Sequence, residues 1–349
     1  MVEFSHLISA IDTHTAGEPT RIVLRGLPQL IGRTMAEKRN DMRERLDRFR
    51  TLLMQEPRGH RDMFGAVLTT PVTEEAQCGL IFMDHDGYLD MCGHGTIGAA
   101  TALIETGWVP PIEPETRIAF DTPSGLVETR ARIQDGRVVE VSLFNVSSFA
   151  HSRDVALDVP GLGRIVVDVS FGGNFVAMVP ASAVGTSVRP ENLHKLVQIG
   201  ILIKRAVNEQ VSVRHPLQQH IARVELTEIY ERPDPSKPYS KGVAIFGEGQ
   251  VDRSPCGTGT AATMATLYSR GELSLGQEFT SESIIGSRFK GKLLRETRVG
   301  DFVAVEPVIS GQAFLIGIQQ FVLNPRDPLG WGLRVAKPAE QHVSSLSRA

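Results

Sequence analysis

The sequence predicts an α/β fold of the α+β kind, with many strands to each helix and one unit used twice. Two observations carry this. Short apolar runs bounded by Gly, Pro or Asp outnumber the helical stretches. The stretch CGHGTIGAATAL from Cys92 also returns as CGTGTAATMATL from Cys256, with five of twelve positions identical. Each copy follows an apolar run and a glycine-containing polar loop, GLIFMDHDGYLDM in the first case and GVAIFGEGQVDRSP in the second. Each leads into a helix of small residues.

Taken in order, the first helical stretch runs from Thr34 to Glu56. There Met42, Leu46, Phe49 and Leu53 form one apolar stripe on a charged helix, which reads as a solvent-facing cover. Strand-like runs follow: AVLTTPV from Ala66, GLIFM from Gly79, RVVEVSLFNV from Arg137 and RIVVDVS from Arg164. A second helix covers ENLHKLVQIGILIKRAVNEQ from Glu191, and Pro233 to Pro238 marks a loop. GVAIF from Gly242, DFVAVEPVI and QAFLIGIQQFVL complete the strands before a polar tail from about Lys337.

Composition narrows the function. The 349 residues, 41% hydrophobic and 22% charged, can bury a large core and suit two domains better than one. A net charge of -3 without a Lys/Arg block argues against nucleic acid as a partner. No apolar run approaches the roughly 18 residues of a membrane span, and the N-terminus has no basic region followed by an apolar run. A cytoplasmic protein is expected. Three cysteines, Cys78, Cys92 and Cys256, argue for reduced thiols over a disulfide framework.

Gly93, Gly95 and Gly98 fit the dinucleotide pattern G-x-G-x-x-G, but in the second copy the third glycine has become Ala262 and no βαβ crossover is evident. The thiol reading uses what repeats. A cysteine at a helix start faces unpaired N–H groups and the positive end of the dipole, which favour thiolate and lower the thiol's pKa. The same N–H groups hold a carboxylate. Two such starts facing each other would clamp one anionic substrate between two thiols, which suits proton removal from one face of a carbon and delivery to the other.

Blander readings stand beside this one. A free cysteine is most often a small buried hydrophobe, and Cys78, outside the repeat, reads that way. His94 with Cys92 lacks the partners of a zinc site, so no metal is expected. His14 and His60 read as loop-holding residues, Arg21 and Arg58 as braces. Asp252 could cap the second helix or pair with Arg253, and Phe64 and Phe246 could be core aromatics.

Four motifs together carry a resemblance: IDTHTAGEPTRIV from Ile11, EPRGHRDMFGAVL from Glu56, DMCGHG and DRSPCGTGT. In this order they resemble the proline racemase family, which includes 4-hydroxyproline 2-epimerases and trans-3-hydroxy-L-proline dehydratases. The likeness runs to about Gly332. It implies two similar halves of the diaminopimelate-epimerase type, each a curved, mostly antiparallel sheet around a central helix, with the site in the cleft between them. The halves would be residues 1–165 with 325–349, carrying Cys92, and 166–324, carrying Cys256. It further implies that Cys92 and Cys256 act as base and acid without a cofactor, that amides at Gly93, His94, Gly257 and Thr258 bind the substrate carboxylate, and that Asp252 and the His94 side chain lie near the substrate nitrogen. A homodimer is implied as well.

Within the family, dehydratases resembling this chain usually carry threonine in place of the second cysteine, so Cys256 argues against elimination. Phe64 and Phe246 match phenylalanines that proline racemases place against the pyrrolidine ring. An apolar pair would leave a substrate hydroxyl unpaired, at a cost of roughly 1–3 kcal/mol, so proline is favoured over 4-hydroxyproline and over 3-hydroxyproline. Gly95 points the other way, since many hydroxyproline epimerases read CGHG and some proline racemases CGHN. A silent imino-acid-binding homologue is the remaining alternative, which retention of both cysteines disfavours.

Overall fold

A computed structural model describes residues 4–334 apart from Pro233 and Pro235. The expected polar tail from Lys337 lies outside the described residues, as do those two prolines of the expected loop. The chain begins with β1 (His6–Thr15), β2 (Glu18–Arg25), α1 (Met35–Arg45), α2 (Asp47–Met54), β3 (Phe64–Thr69), β4 (Cys78–Asp84) and β5 (Tyr88–Leu89). Next come α3 (Gly93–Glu105), β6 (Glu115–Thr122), β7 (Gly125–Gln134) and β8 (Arg137–Phe144). After them stand β9 (Ser148–Val159), β10 (Gly163–Phe171), β11 (Phe175–Pro180), α4 (Leu193–Gln210), β12 (Val224–Glu231), β13 (Tyr239–Phe246) and β14 (Gln250–Val251). The chain ends in α5 (Gly257–Ser269), β15 (Glu278–Ser283), β16 (Arg288–Val299), β17 (Phe302–Gly311) and β18 (Ala313–Leu323).

Strand pairing repeats. β1 pairs antiparallel with β2, β2 parallel with β3, β3 antiparallel with β4, β4 parallel with β6, and β6, β7 and β8 follow antiparallel. β10 to β17 repeat the same series of pairings around α5. One strand in each unit is exchanged in sequence: β9 pairs with β10, and the last strand, β18, returns to β1. We take the boundary between the units to fall at residues 145–147 and at Gln312, because residue 165 lies inside β10.

Each unit wraps its strands around one helix. α3 is buried from Gly93 to Ile104 and α5 from Gly257 to Leu267, so both must be apolar and small all round, unlike a surface helix. Gly98 shows the tightness: a Cβ there would lie 2.7 Å from Thr13 Oγ1. The two helices share one core, and α4 covers a second around Phe149, Phe171 and Phe175.

The stretch read as one helix from Thr34 to Glu56 is two, broken at Leu46, with Thr34 Oγ1 accepting from the Glu37 amide at 3.1 Å to cap the first. Its stripe is core: Met42, Leu46, Phe49 and Leu53 are all buried. That suits a cover, with Glu37, Arg43, Glu44 and Arg45 facing solvent, but the charged face is not all solvated: Lys38, Arg39 and Arg50 are buried, anchored respectively to the Thr70 carbonyl, Asp90 and Asp47. Charge alone had marked this face as solvated, whereas paired cations can be enclosed.

Candidate active site

Cys92 and Cys256 stand at the N-caps of α3 and α5. Each sulfur accepts from the amide three residues on, Gly95 or Gly259, at 3.3 Å. These helix starts press against each other. A Cβ on Gly93 would lie 2.7 Å from Gly257 Cα, and one on Gly257 2.7 Å from Gly93 Cα. Only glycine permits that approach, so the repeated Cys-Gly pair brings both first turns, with the amides of Gly93, His94, Gly257 and Thr258, to one place.

The remaining expected residues gather there. His94 lies with Nδ1 3.3 Å from the Cys92 sulfur and 3.7 Å from Asp252 Oδ2, bridging from one thiol to the carboxylate that precedes the other. Its ring is edge-on to Phe64 at 4.7 Å, and Phe64 is edge-on to Phe246 at 6.2 Å, so the two phenylalanines form a continuous apolar wall. Thr258 Oγ1 is 3.5 Å from the Cys256 sulfur. Asp252 accepts from the Ser254 amide at 2.8 Å, shaping the turn into Cys256; Arg253 pairs instead with Asp62 at 2.9 Å. His14 and His60 accept from the amides of Gly17 and Asp62, and Arg21 and Arg58 tie loops through carbonyls.

One expectation is overturned. The helix-start amides do favour thiolate, but burial pushes both thiols well above the usual range, and the Asp252 carboxylate adds to it at each. Desolvating a thiolate costs more than a few N–H dipoles return. The thiols are 5% and 7% exposed, so solvent cannot soften that penalty.

Three neighbours were not singled out in the sequence. Glu18 and Glu228 are buried carboxyls, each with one oxygen lacking a partner, and Asn174 binds the residues before Cys92. Glu18 was visible within the motif HTAGEP. Glu228, on β12 between Thr227 and Ile229, gave no signal in the sequence. Among the described residues no cluster of three or more His, Cys, Asp or Glu is arranged to hold a metal ion.

The family model described as proline racemase matches residues 10–334. The chain belongs to the proline racemase family. A proline racemase of Clostridioides difficile is 48% identical over 331 residues, covering 95% of this chain and 99% of its own. A 4-hydroxyproline 2-epimerase of Streptosporangium roseum is 43% identical, covering 93% and 97%. Among solved structures, a hydroxyproline epimerase from Agrobacterium vitis with bound trans-4-hydroxy-L-proline superposes with a TM-score of 0.91 at 33% identity, over 96% of both chains. The protein is an isomerase of the racemase and epimerase class, and its duplicated α/β architecture is that of the proline racemase family. No helix among the described residues is long and apolar enough to cross a membrane.

Proposed function

We propose that this protein inverts the α-carbon of proline by passing a proton between Cys92 and Cys256, with no cofactor. The observation that carries the reading is the contact of the two helix starts at Gly93 and Gly257, each with a thiol on its cap. A carboxylate seated over this junction, on the thiol side, would meet amides from both helices, with the α-carbon toward the two sulfurs. Asp252 then takes the ring ammonium, with His94 beside it.

The raised thiols suit the chemistry. A carbon acid α to a carboxylate gives up its proton only to a strong base, and a desolvated thiolate is stronger than one in water. One thiol therefore enters the cycle ionised, its proton lost to solvent before the substrate closes the site, and a substrate ammonium beside Asp252 offsets that carboxylate's share of the cost, burial being the larger share. One thiolate removes the α-proton; the opposite thiol donates its own, and the roles exchange with direction.

Phe64 and Phe246 favour an unsubstituted ring, and the Clostridioides relative is a proline racemase. Gly95 supports 4-hydroxyproline 2-epimerisation as the second reading through the CGHG motif; a Cβ there would lie 3.1 Å from the Cys92 sulfur and 3.3 Å from Phe82, so the residue at this position bears directly on the thiol. Cys256 weighs against 3-hydroxyproline dehydration. The proposal includes a cytoplasmic homodimer, supported by three free cysteines and by an exposed apolar row on β18.

The test is incubation with L-proline in D2O, following the α-proton by NMR and optical rotation, with trans-4-hydroxy-L-proline and trans-3-hydroxy-L-proline run in parallel. Proline should exchange and racemise fastest. Faster turnover of 4-hydroxyproline would move the assignment to the second reading, and no exchange with any of them would leave a binding protein.

A further inference from the structure

Each unit sends one side chain across to the backbone that leads into the other unit's cysteine. From the turn between β10 and β11, Asn174 accepts from the Asp90 amide at 3.3 Å and donates to the Met91 carbonyl at 2.7 Å, holding the two residues before Cys92. From the first residue of β2, just past the matching turn, Glu18 accepts from the Arg253 amide at 2.7 Å, three residues before Cys256. Asn174 stands three residues after the end of β10, as Glu18 stands three after the end of β1. The glycines before them also match, Gly173 at φ 112° and Gly17 at φ 102°. Each lies against the backbone being held: a Cβ on Gly173 would be 2.9 Å from Met91 Cβ, and one on Gly17 3.5 Å from Arg253 Cβ.

The two clamps differ in chemistry. An amide offers a donor and an acceptor, whereas a carboxylate offers only acceptors. Glu18 is fully buried, and its Oε1 has no partner. Asp252 and Asp62 oppose its ionisation; the Arg253 amide and guanidinium favour it, the guanidinium being shared with Asp62 at 2.9 Å. Burial, the largest influence, pushes the Glu18 carboxyl well above the usual range. A carboxylic acid that keeps its proton can accept as an amide does, and Glu18 uses that acceptor on the Arg253 amide, whereas the donor that Asn174 turns to the Met91 carbonyl has no counterpart at Glu18.

We propose that Glu18 is a neutral positioning acid, the counterpart of Asn174, which fixes the approach to Cys256 without adding a second negative charge beside Asp252. Its effect on turnover rests on the reading of Cys92 and Cys256 as acid and base; its protonation state does not.

Two variants and two measurements test this. Glu18→Gln, which supplies an amide, should keep kcat within about threefold in both directions, whereas Glu18→Ala should lower it at least about tenfold. Alkylation of Cys92 by iodoacetamide, read by mass spectrometry between about pH 6 and 8.5, should keep its pH dependence in Glu18→Gln, since one neutral group replaces another. A downward shift of about half a unit or more would mean that a negative charge had been removed, and would overturn the proposal. So would a Gln variant as slow as the Ala variant, or an Ala variant as fast as wild type. If Glu18→Ala does not fold, the Gln variant and the alkylation profile decide alone. Absence of α-proton exchange in the wild type would sink the two-thiol reading instead, leaving the alkylation result to judge Glu18.

Discussion

At Cys256 the backbone stands at φ 56°, in the left-handed region, while Cys92 is extended at φ −145°. A residue with a Cβ there carries strain of order 1–3 kcal/mol, held in place by its surroundings. Here they are Pro255 before it, the Ser254 hydroxyl accepting its amide at 3.1 Å, and Gly93 against Gly257. The two thiols are therefore alike in burial and in the amide each accepts from, but not in backbone. Both are needed if the proton crosses from one to the other. Cys92→Ser and Cys256→Ser should each lower proline inversion by at least about a hundredfold, because a hydroxyl is too weak an acid to serve as either partner at neutral pH. Polarimetry checks this, and near-normal inversion in either single variant would contradict the two-base mechanism. The apolar wall gives a second prediction. Phe246→Ser should raise kcat/KM for trans-4-hydroxy-L-proline relative to proline by about tenfold, near the roughly 1–1.5 kcal/mol recovered when a buried hydroxyl gains a partner; rates on the two substrates decide it.

Two helices meet by their first turns, and that junction tolerates no side chain. A methyl group at Gly257 would have to enter the space of Gly93 Cα, which is backbone and cannot rotate away. Gly257→Ala should lower stability by about 2 kcal/mol or more and abolish inversion, as separation of the helices would also separate the thiols. Gly87→Ala is the control, since nothing lies within 4 Å of a Cβ there. Thermal melting with activity measured alongside distinguishes the two. This junction could be expected from the sequence because Cys-Gly repeats at two helix starts, and a repeated cap is a local signal. The break at Leu46 could not. The stripe of Met42, Leu46, Phe49 and Leu53 keeps helical spacing across it, so periodicity carries no trace of where the backbone leaves the helix.

Across the molecule, duplication explains both what was legible and what was not. The strands β4, β8, β10, β13, β17 and β18 show as apolar runs, whereas β1, β2 and β12 carry polar residues such as Thr13, Thr15, Glu18 and Glu228 inward, where they face the helix starts. Polar groups turned toward a site erase the alternation that marks a strand. The exchange of β9 and β18 is set by tertiary pairing and has no local sequence signal. It has a consequence at the surface. β9 is covered on both sides, by β10 and β17, while among the described residues β18 pairs only with β1. The outward row of β18 is apolar, with Phe314 49%, Ile316 59% and Ile318 75% exposed. An edge strand with such a row is a template for association unless another chain buries it. A second copy related by a two-fold axis would present the same row to itself, and one self-complementary patch suffices to close a dimer. Light scattering at micromolar concentration should give a dimer for the wild type and a monomer for the double variant Ile316→Lys with Ile318→Lys, which places charge where the copies meet. The cysteines lie in the interior beyond the opposite face of β1, so the monomer should still exchange the α-proton of proline. A wild type that is monomeric, or a double variant that stays dimeric, would refute this interface.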